Sequence, residues 1–199
     1  MNSNDLIFAK VRPDAIIPTK EDENAGYDIY ANFDSDYLVI PCGKIRTILV
    51  PTGIACAVSE KYYLQVQERG STSKYGLKYS AGVIDSGYRG EIFIALTNIT
   101  NSDILISKLS REELIKKYGR NDDDFDEGVV MDISEYDAIY LEYNDEAENP
   151  ATMIYPYSKA IAQLVVHEVP KMNVKEISYE ELQKIPSKRG TGALGSSGK

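Results

Sequence analysis

From residue 6 to residue 100 the chain is a succession of short apolar runs: LIFAKV, AGYDIYA, YLVIPCG, RTILVPTGIACAV, YYLQVQ and GVIDSGYRGEIFIALTN. Each is closed by Pro, Gly or a polar turn cluster. Runs of this kind, rich in β-branched and aromatic residues, specify strands and not helices. Many short strands with no helix between them point to an all-β barrel or sandwich. The same pattern resumes at Met153 with MIYPYSKAIAQLVVHEV.

The stretch between these two parts differs in charge and in period. Residues 101–157 hold 15 acids against 5 bases, a balance of -10, whereas the remaining 142 residues hold 16 against 17, a balance of +1. Ser110 as N-cap, Glu113 three residues later and Gly119 as stop spell a helix over REELIKKY. NDDDFDEG reads as a solvated loop, and VVMDIS and AIYLEY as two strands. A second capping box, Ser178 to Glu181, opens a short helix YEELQKI that Pro186 stops. The expected division is a β core at 1–100 and 158–185, an acidic inserted module at 101–157, and a glycine-rich C-terminal arm at 186–199.

Composition removes several classes of chemistry. A net charge of -9 disfavours a chain built to neutralise nucleic-acid phosphates. Two cysteines, Cys42 and Cys56, cannot form a disulfide framework or a cysteine-rich zinc site, and a reducing, cytoplasmic setting fits them. No run of 18 apolar residues and no leader pattern is present, so membrane spanning and secretion are disfavoured. His167 is the lone histidine, in the apolar run QLVVHEVP, and is expected to be structural.

Three stretches carry more chemistry than packing requires. In SAGVIDSGYRGE (80–91), Asp85-Ser86-Gly87 forms a tight turn, either as a plain hairpin or as a rim that holds a small ligand with Asp85 and Tyr88. ERGSTS (68–73) is either a polar turn or an anion site offering backbone N–H groups, hydroxyls and the Arg69 fork. RGTGALGSSG (189–198) is either a flexible tail or an arm that closes over phosphates; it matches G-x-G-x-x-G, but no strand precedes it in a βαβ unit, which excludes a dinucleotide fold.

Together with AGYDI (25–29) and AIAQL (160–164), these stretches resemble the five ordered motifs of the trimeric dUTPases, most closely the phage-type members with an insertion between the third and fourth motifs. The resemblance implies a jelly-roll-like β fold, a homotrimer, and Mg2+-assisted hydrolysis of dUTP to dUMP and pyrophosphate, lowering dUTP and supplying dUMP for thymidylate synthesis. It implies that Asp85 orients and deprotonates the water attacking the α-phosphorus, that Gln163 positions groups near that phosphate, and that Asp28 holds Mg2+ through a water. Arg69, Gly70 and Ser71 would bind phosphates, joined by Arg189, Gly195, Ser196 and Ser197 from the arm. Tyr88 would stack on the deoxyribose, backbone groups of Ala81, Gly82, Val83 and Ile84 would read the uracil edge, and Leu194 would cover the base.

Three positions depart from the family pattern. Gly70 stands where serine is usual, Leu194 where phenylalanine is usual, and Ala160 where arginine is usual. None of them touches Asp28, Asp85, Tyr88, Gln163 or Arg189, so catalysis is expected. The third motif is unlike that of the related dCTP deaminases. In some phage members a comparable insertion is associated with a partner protein. The acidic surface, with Tyr118, Tyr136, Tyr140 and Tyr143, would suit a basic, repressor-like partner. The alternative reading is accordingly a regulator that uses a dUTP-bound state as a switch, with no stable nucleic-acid or membrane binding.

Overall fold

The computed structural model describes residues 4–43, 46–121, 129–131, 139–142 and 152–191. In chain order the elements are β1 (Leu6–Lys10), β2 (Gly26–Ile29), β3 (Tyr37–Ile40), β4 (Ile48–Pro51), β5 (Ile54–Val58), β6 (Tyr62–Gln67), α1 (Gly70–Ser73), β7 (Leu77–Tyr79) and β8 (Val83–Ile84). They continue with β9 (Phe93–Asn98), β10 (Ile104–Ser107), α2 (Arg111–Tyr118), β11 (Gly119–Asn121), β12 (Val129–Met131), β13 (Ile139–Glu142), β14 (Met153–Pro156), β15 (Ala162–Glu168) and α3 (Tyr179–Gln183). The chain forms two compact units, Met1–Val169 and Pro170–Lys199.

The first unit is the expected all-β, jelly-roll-like fold. Its sheets have the strand orders β2-β15-β6-β8, β4-β9-β7, β14-β10-β3 and β1-β5, with a further sheet β11-β12-β13. Alternation decides which side chains go inward. In β5 every second residue, Ile54, Cys56 and Val58, is buried. Ile29, Ile40, Ile54, Leu64, Ile94, Leu96, Ile106, Tyr155 and Leu164 meet in one cluster, so four sheets share a single core. The run RTILVPTGIACAV is not one strand. It breaks at Gly53, where φ is +66° and a Cβ would press against Ala15 and Asn32, a conformation that glycine adopts without strain.

His167 is structural as expected: its ring stacks on Tyr63 with centroids 5.2 Å apart. Cys56 is buried and Cys42 is half-buried, and neither forms a disulfide among the described residues. Burial pushes the Cys56 thiol above its ordinary pKa, which leaves it an inert packing group.

The acidic stretch begins and ends inside this core. β10 lies between β3, antiparallel to it, and β14, parallel to it. All four β10 residues are buried, because Ile104 and Ile106 enter the main core on one face and Leu105 meets α2 on the other. Leu105 and Val39 pack with Leu114 of α2 in a second, smaller cluster. Parallel neighbours cannot be joined by a hairpin and require a crossover of a dozen or more residues. Residues 108–152 are that crossover, and not an addition to a tight strand-to-strand turn.

The crossover helix forms as its caps dictate. Ser110 accepts from the Glu113 amide and the Glu113 carboxylate accepts from the Ser110 amide, at 3.2 and 2.8 Å. Gly119 ends α2, but in an extended conformation (φ -68°, ψ 138°) that leads straight into β11, without a left-handed cap. The far end of the helix is tied down by Asp36, which accepts from Lys117 and, at 2.6 Å, from the Tyr118 hydroxyl. Tyr118 also packs edge-on against Tyr37, so part of its ring is spent on the body of the molecule. Tyr136 and Tyr143 lie outside the described residues.

The hydrogen bonds from Lys117 and Tyr118 hold the Asp36 carboxyl below its ordinary pKa. A depressed carboxyl stabilises the docked helix at and above the unfolded carboxylate range, and that contribution is lost as pH falls through the folded value. The protection factors of the α2 amides, referred to the intrinsic exchange rate at each pH, should therefore fall on acidification below about pH 4. In Asp36→Asn they should already be low at neutral pH, with the acid dependence abolished.

Candidate active site

The sequence puts its polar functional groups on strand ends, and pairing brings five of them to one place. β15 runs antiparallel between β2 and β6, so that Gln163 stands opposite Asp28 on one side and Gln67 on the other. β6 ends next to Glu68, and the following turn of helix, α1, presents Gly70 and Ser71. An open cleft of about 370 Å3 is lined by Asn24, Ala25, Gly26, Asp28, Arg69, Gly70, Ser71 and Gln163. Asp28, Arg69, Gly70, Ser71 and Gln163 were expected there from sequence.

Arg69 organises this cleft. Its Nη2 donates to Asp28 Oδ2 at 2.9 Å, and its Nη1 to Ser71 Oγ at 3.3 Å and to the Ala160 carbonyl at 3.2 Å. The Arg69 side chain is 28% exposed, so one edge of the guanidinium is fixed by protein while the group can still meet an anion. Gln163 Nε2 donates to the Glu68 carbonyl at 2.7 Å. Gly26 makes room for that amide: a Cβ there would collide with the Gln163 side chain, including its Cβ at 2.9 Å. At Gly70, by contrast, a Cβ would meet nothing within 4 Å, so the serine usual in the family would fit.

Beneath the cleft, two tyrosines hold the α1 turn against residues 160–161. The Tyr79 hydroxyl donates to the Ile161 carbonyl and lies 2.9 Å from Thr72 Oγ1, while Thr72 Oγ1 donates to the Arg69 carbonyl at 2.9 Å. Burial pushes the Tyr79 phenol up to about 12, so it remains a protonated donor at physiological pH. The Tyr155 hydroxyl donates to the Ala160 carbonyl at 2.7 Å. Neither tyrosine was singled out from sequence, since each sits in an apolar run and reads as core.

The hairpin residues form a separate patch. β8 pairs only with β6, through Leu64↔Ile84 and Gln65↔Val83, and is therefore an edge strand whose outer backbone groups are open to a ligand. Ala81 and Val83 are exposed, Gly82 is half-buried and Ile84 is buried. Gln65 packs so closely on Gly82 that a Cβ there would strike its amide. The Asp85 carbonyl accepts from the Tyr88 amide at 3.0 Å, the expected tight turn, and leaves the Asp85 side chain exposed. Tyr88 is 45% exposed and folds over Gly90, where any Cβ would meet its hydroxyl end. That hydroxyl donates to the Glu91 carbonyl at 2.8 Å.

In the second unit, α3 carries the expected box between Ser178 and Glu181. Past its end, the amides of Arg189 and Gly190 donate to Ser187 Oγ at 3.2 and 3.1 Å, with Gly190 at φ +55°. Leu194, Gly195, Ser196 and Ser197 lie outside the described residues.

Tyr79→Phe should lower the unfolding free energy by about 1–3 kcal/mol, because the Ile161 carbonyl loses this donor in a part-buried position. The check is a shift of the urea midpoint at constant m-value.

The dUTPase family profile matches residues 13–111, a range that includes the first three of the motif-like stretches. The chain is 38% identical over 105 residues to the deoxyuridine 5'-triphosphate nucleotidohydrolase of Leptospira interrogans, covering 51% of this chain and 70% of that protein. It is likewise 38% identical over 104 residues to the enzyme of the same name from Rickettsia prowazekii, covering 50% and 68%. Among solved structures, the dUTPase of Staphylococcus bacteriophage 80alpha bound to dUPNHPP aligns over 98% of this chain and 99% of its own, at 22% identity and a TM-score of 0.62. The dUTPase of phage phi11, whose structure visualises a species-specific insert, aligns over 87% of this chain and 96% of its own, at 21% identity and a TM-score of 0.55. The chain belongs to the dUTPase family.

Proposed function

We propose that the protein hydrolyses dUTP to dUMP and pyrophosphate. The observation that carries this reading is the Arg69 cleft, a half-open cation beside Ser71, Asp28 and Gln163, in a chain whose relatives are named for that reaction. Arg69, Ser71 and the open Gly70 backbone bind the phosphates. The exposed edge of β8 at Ala81–Ile84 reads the uracil, where a base with the wrong exocyclic group leaves polar groups unpaired. Tyr88 lies against the deoxyribose. Asp85 takes the proton of a water as that water forms a bond to the α-phosphorus; the bond from phosphorus to the bridging oxygen breaks and pyrophosphate leaves. Gln163, fixed by the Glu68 carbonyl, orients groups at the α-phosphate. Arg189, Leu194, Gly195, Ser196 and Ser197 are assigned to the closing arm.

The residues present fit Mg2+ held through water. Asp28 contributes one carboxylate, and no group of three or more His, Cys, Asp or Glu able to cage a metal exists among the described residues. A hydrated ion carried mainly by phosphate oxygens matches the habit of Mg2+. When bound it would spread the charge that develops on the phosphates.

The cleft around Arg69 and the hairpin around Asp85 and Tyr88 are separate patches of one chain, which favours the family's homotrimer, with neighbouring subunits completing each site. The described residues contain no helix long and apolar enough to cross a membrane, and a cytoplasmic setting suits turnover of a free nucleotide. The acidity of residues 101–157 supports a basic protein as a partner of that segment.

Purified protein should release pyrophosphate from dUTP and not from dCTP or dTTP. Asp85→Asn should reduce kcat by about 10²–10⁴-fold. Absence of wild-type turnover overturns the reading, whereas turnover surviving in the variant overturns only the assigned base. Gly70→Ser should fold normally and lower KM by about two- to tenfold, through one added hydrogen bond to phosphate.

A further inference from the structure

Tyr155 is 0% exposed although it carries a polar hydroxyl. A buried phenol needs a partner, and this one donates at 2.7 Å to the Ala160 carbonyl. The same carbonyl accepts from Arg69 Nη1 at 3.2 Å; with two lone pairs it serves both. The Tyr155 ring is fixed by Tyr75, edge-on at 5.1 Å, and its backbone by pairing with Ile106 of β10. Burial raises the Tyr155 phenol above its ordinary pKa, against the opposing pull of Ser71 and Arg69. The hydroxyl thus lies within electrostatic reach of both cleft residues as well as of Tyr75.

A phenylalanine would fill this space with no need of a partner. The hydroxyl's effect is to hold the Ala160 carbonyl where the guanidinium can reach it. We infer that Tyr155 is a positioning residue for Arg69: from the strand that closes the acidic crossover, it fixes the carbonyl that orients the phosphate-binding guanidinium. The chain thereby joins the root of the crossover to the substrate cleft by two hydrogen bonds through one acceptor.

The inference deepens the dUTP reading and rests on it for the identity of the anion. The test separates the two by measuring anion binding without turnover. Calorimetry with inorganic tripolyphosphate should show an affinity about three- to tenfold weaker in Tyr155→Phe than in wild type. Deoxyuridine, which lacks phosphate, should bind both equally. With dUTP the variant should show the same factor in KM and little change in kcat. Tyr118→Phe, which removes a hydroxyl from Asp36 at the far end of α2 and touches no residue of the cleft lining, should leave tripolyphosphate affinity unchanged. In an Arg69→Lys background the Tyr155→Phe effect should vanish.

Unchanged tripolyphosphate affinity in Tyr155→Phe overturns the inference even if dUTP is hydrolysed. So does a parallel loss of deoxyuridine binding, full additivity with Arg69→Lys, or a wild type that does not bind tripolyphosphate. Failure of dUTP turnover with the tripolyphosphate result intact overturns the substrate and not the positioning role. If Tyr155→Phe does not fold, Arg69→Lys alone decides: it must shift the Tyr155 ring resonances, and their constancy overturns the link.

Discussion

One side chain joins the parts of the sequence that matter most. The Arg69 guanidinium reaches β2 through Asp28, its own helical turn through Ser71, and the entry to β15 through the Ala160 carbonyl. These three segments are far apart in the chain. An ion pair this exposed contributes only about 0–1 kcal/mol to stability. Its importance is geometric, because a planar fork held along one edge leaves the other edge aimed. Gln163 is aimed in the same manner, by the Glu68 carbonyl on one side and the empty space above Gly26 on the other. Arg69 and Gln163 are thus both held in part by backbone carbonyls, and one of these, that of Ala160, also accepts from the buried Tyr155 hydroxyl.

Much of this was legible in the residues. Strand-forming runs, both capping boxes, the Asp85–Tyr88 turn and the company of Asp28, Arg69, Ser71 and Gln163 follow from local pattern or from motif order. Gly53 was not legible as a break, because only its φ shows that RTILVPTGIACAV changes sheet there. β7 was hidden in a polar stretch, and β10 was assigned to the acidic segment because charge was averaged over a window that included a fully buried strand. Tyr79 and Tyr155 read as core and are core. Their hydroxyls act through carbonyls at the entry to β15, and sequence does not reveal which carbonyl a buried phenol reaches.

Net charge also takes on a more local meaning. The acidity between β10 and β14 sits on a connection that the sheet requires, and the far end of its helix α2 is locked to the body by Asp36 through Lys117 and Tyr118. The near-neutral remainder can therefore approach a polyphosphate, while the acidic stretch keeps its own electrostatic character. Edge position has a comparable effect at β8: a strand paired on one side only keeps its outer backbone donors and acceptors open.

The parallel register of β10 and β14 restricts how this protein can be redesigned. The chain leaves β10 at one end of the strand pair and must enter β14 at the other, a separation of about 10–13 Å along four paired residues. A two-residue turn cannot span it. The connection can be exchanged for a different module, or replaced by a flexible linker long enough to run back along the sheet, and the barrel will still close. Excision that takes Ile104–Ser107 with it removes a central strand, leaving β3 and β14 without their common neighbour. Grafting at this position thus has fixed anchor points, Ser107 and Met153, and wide freedom between them.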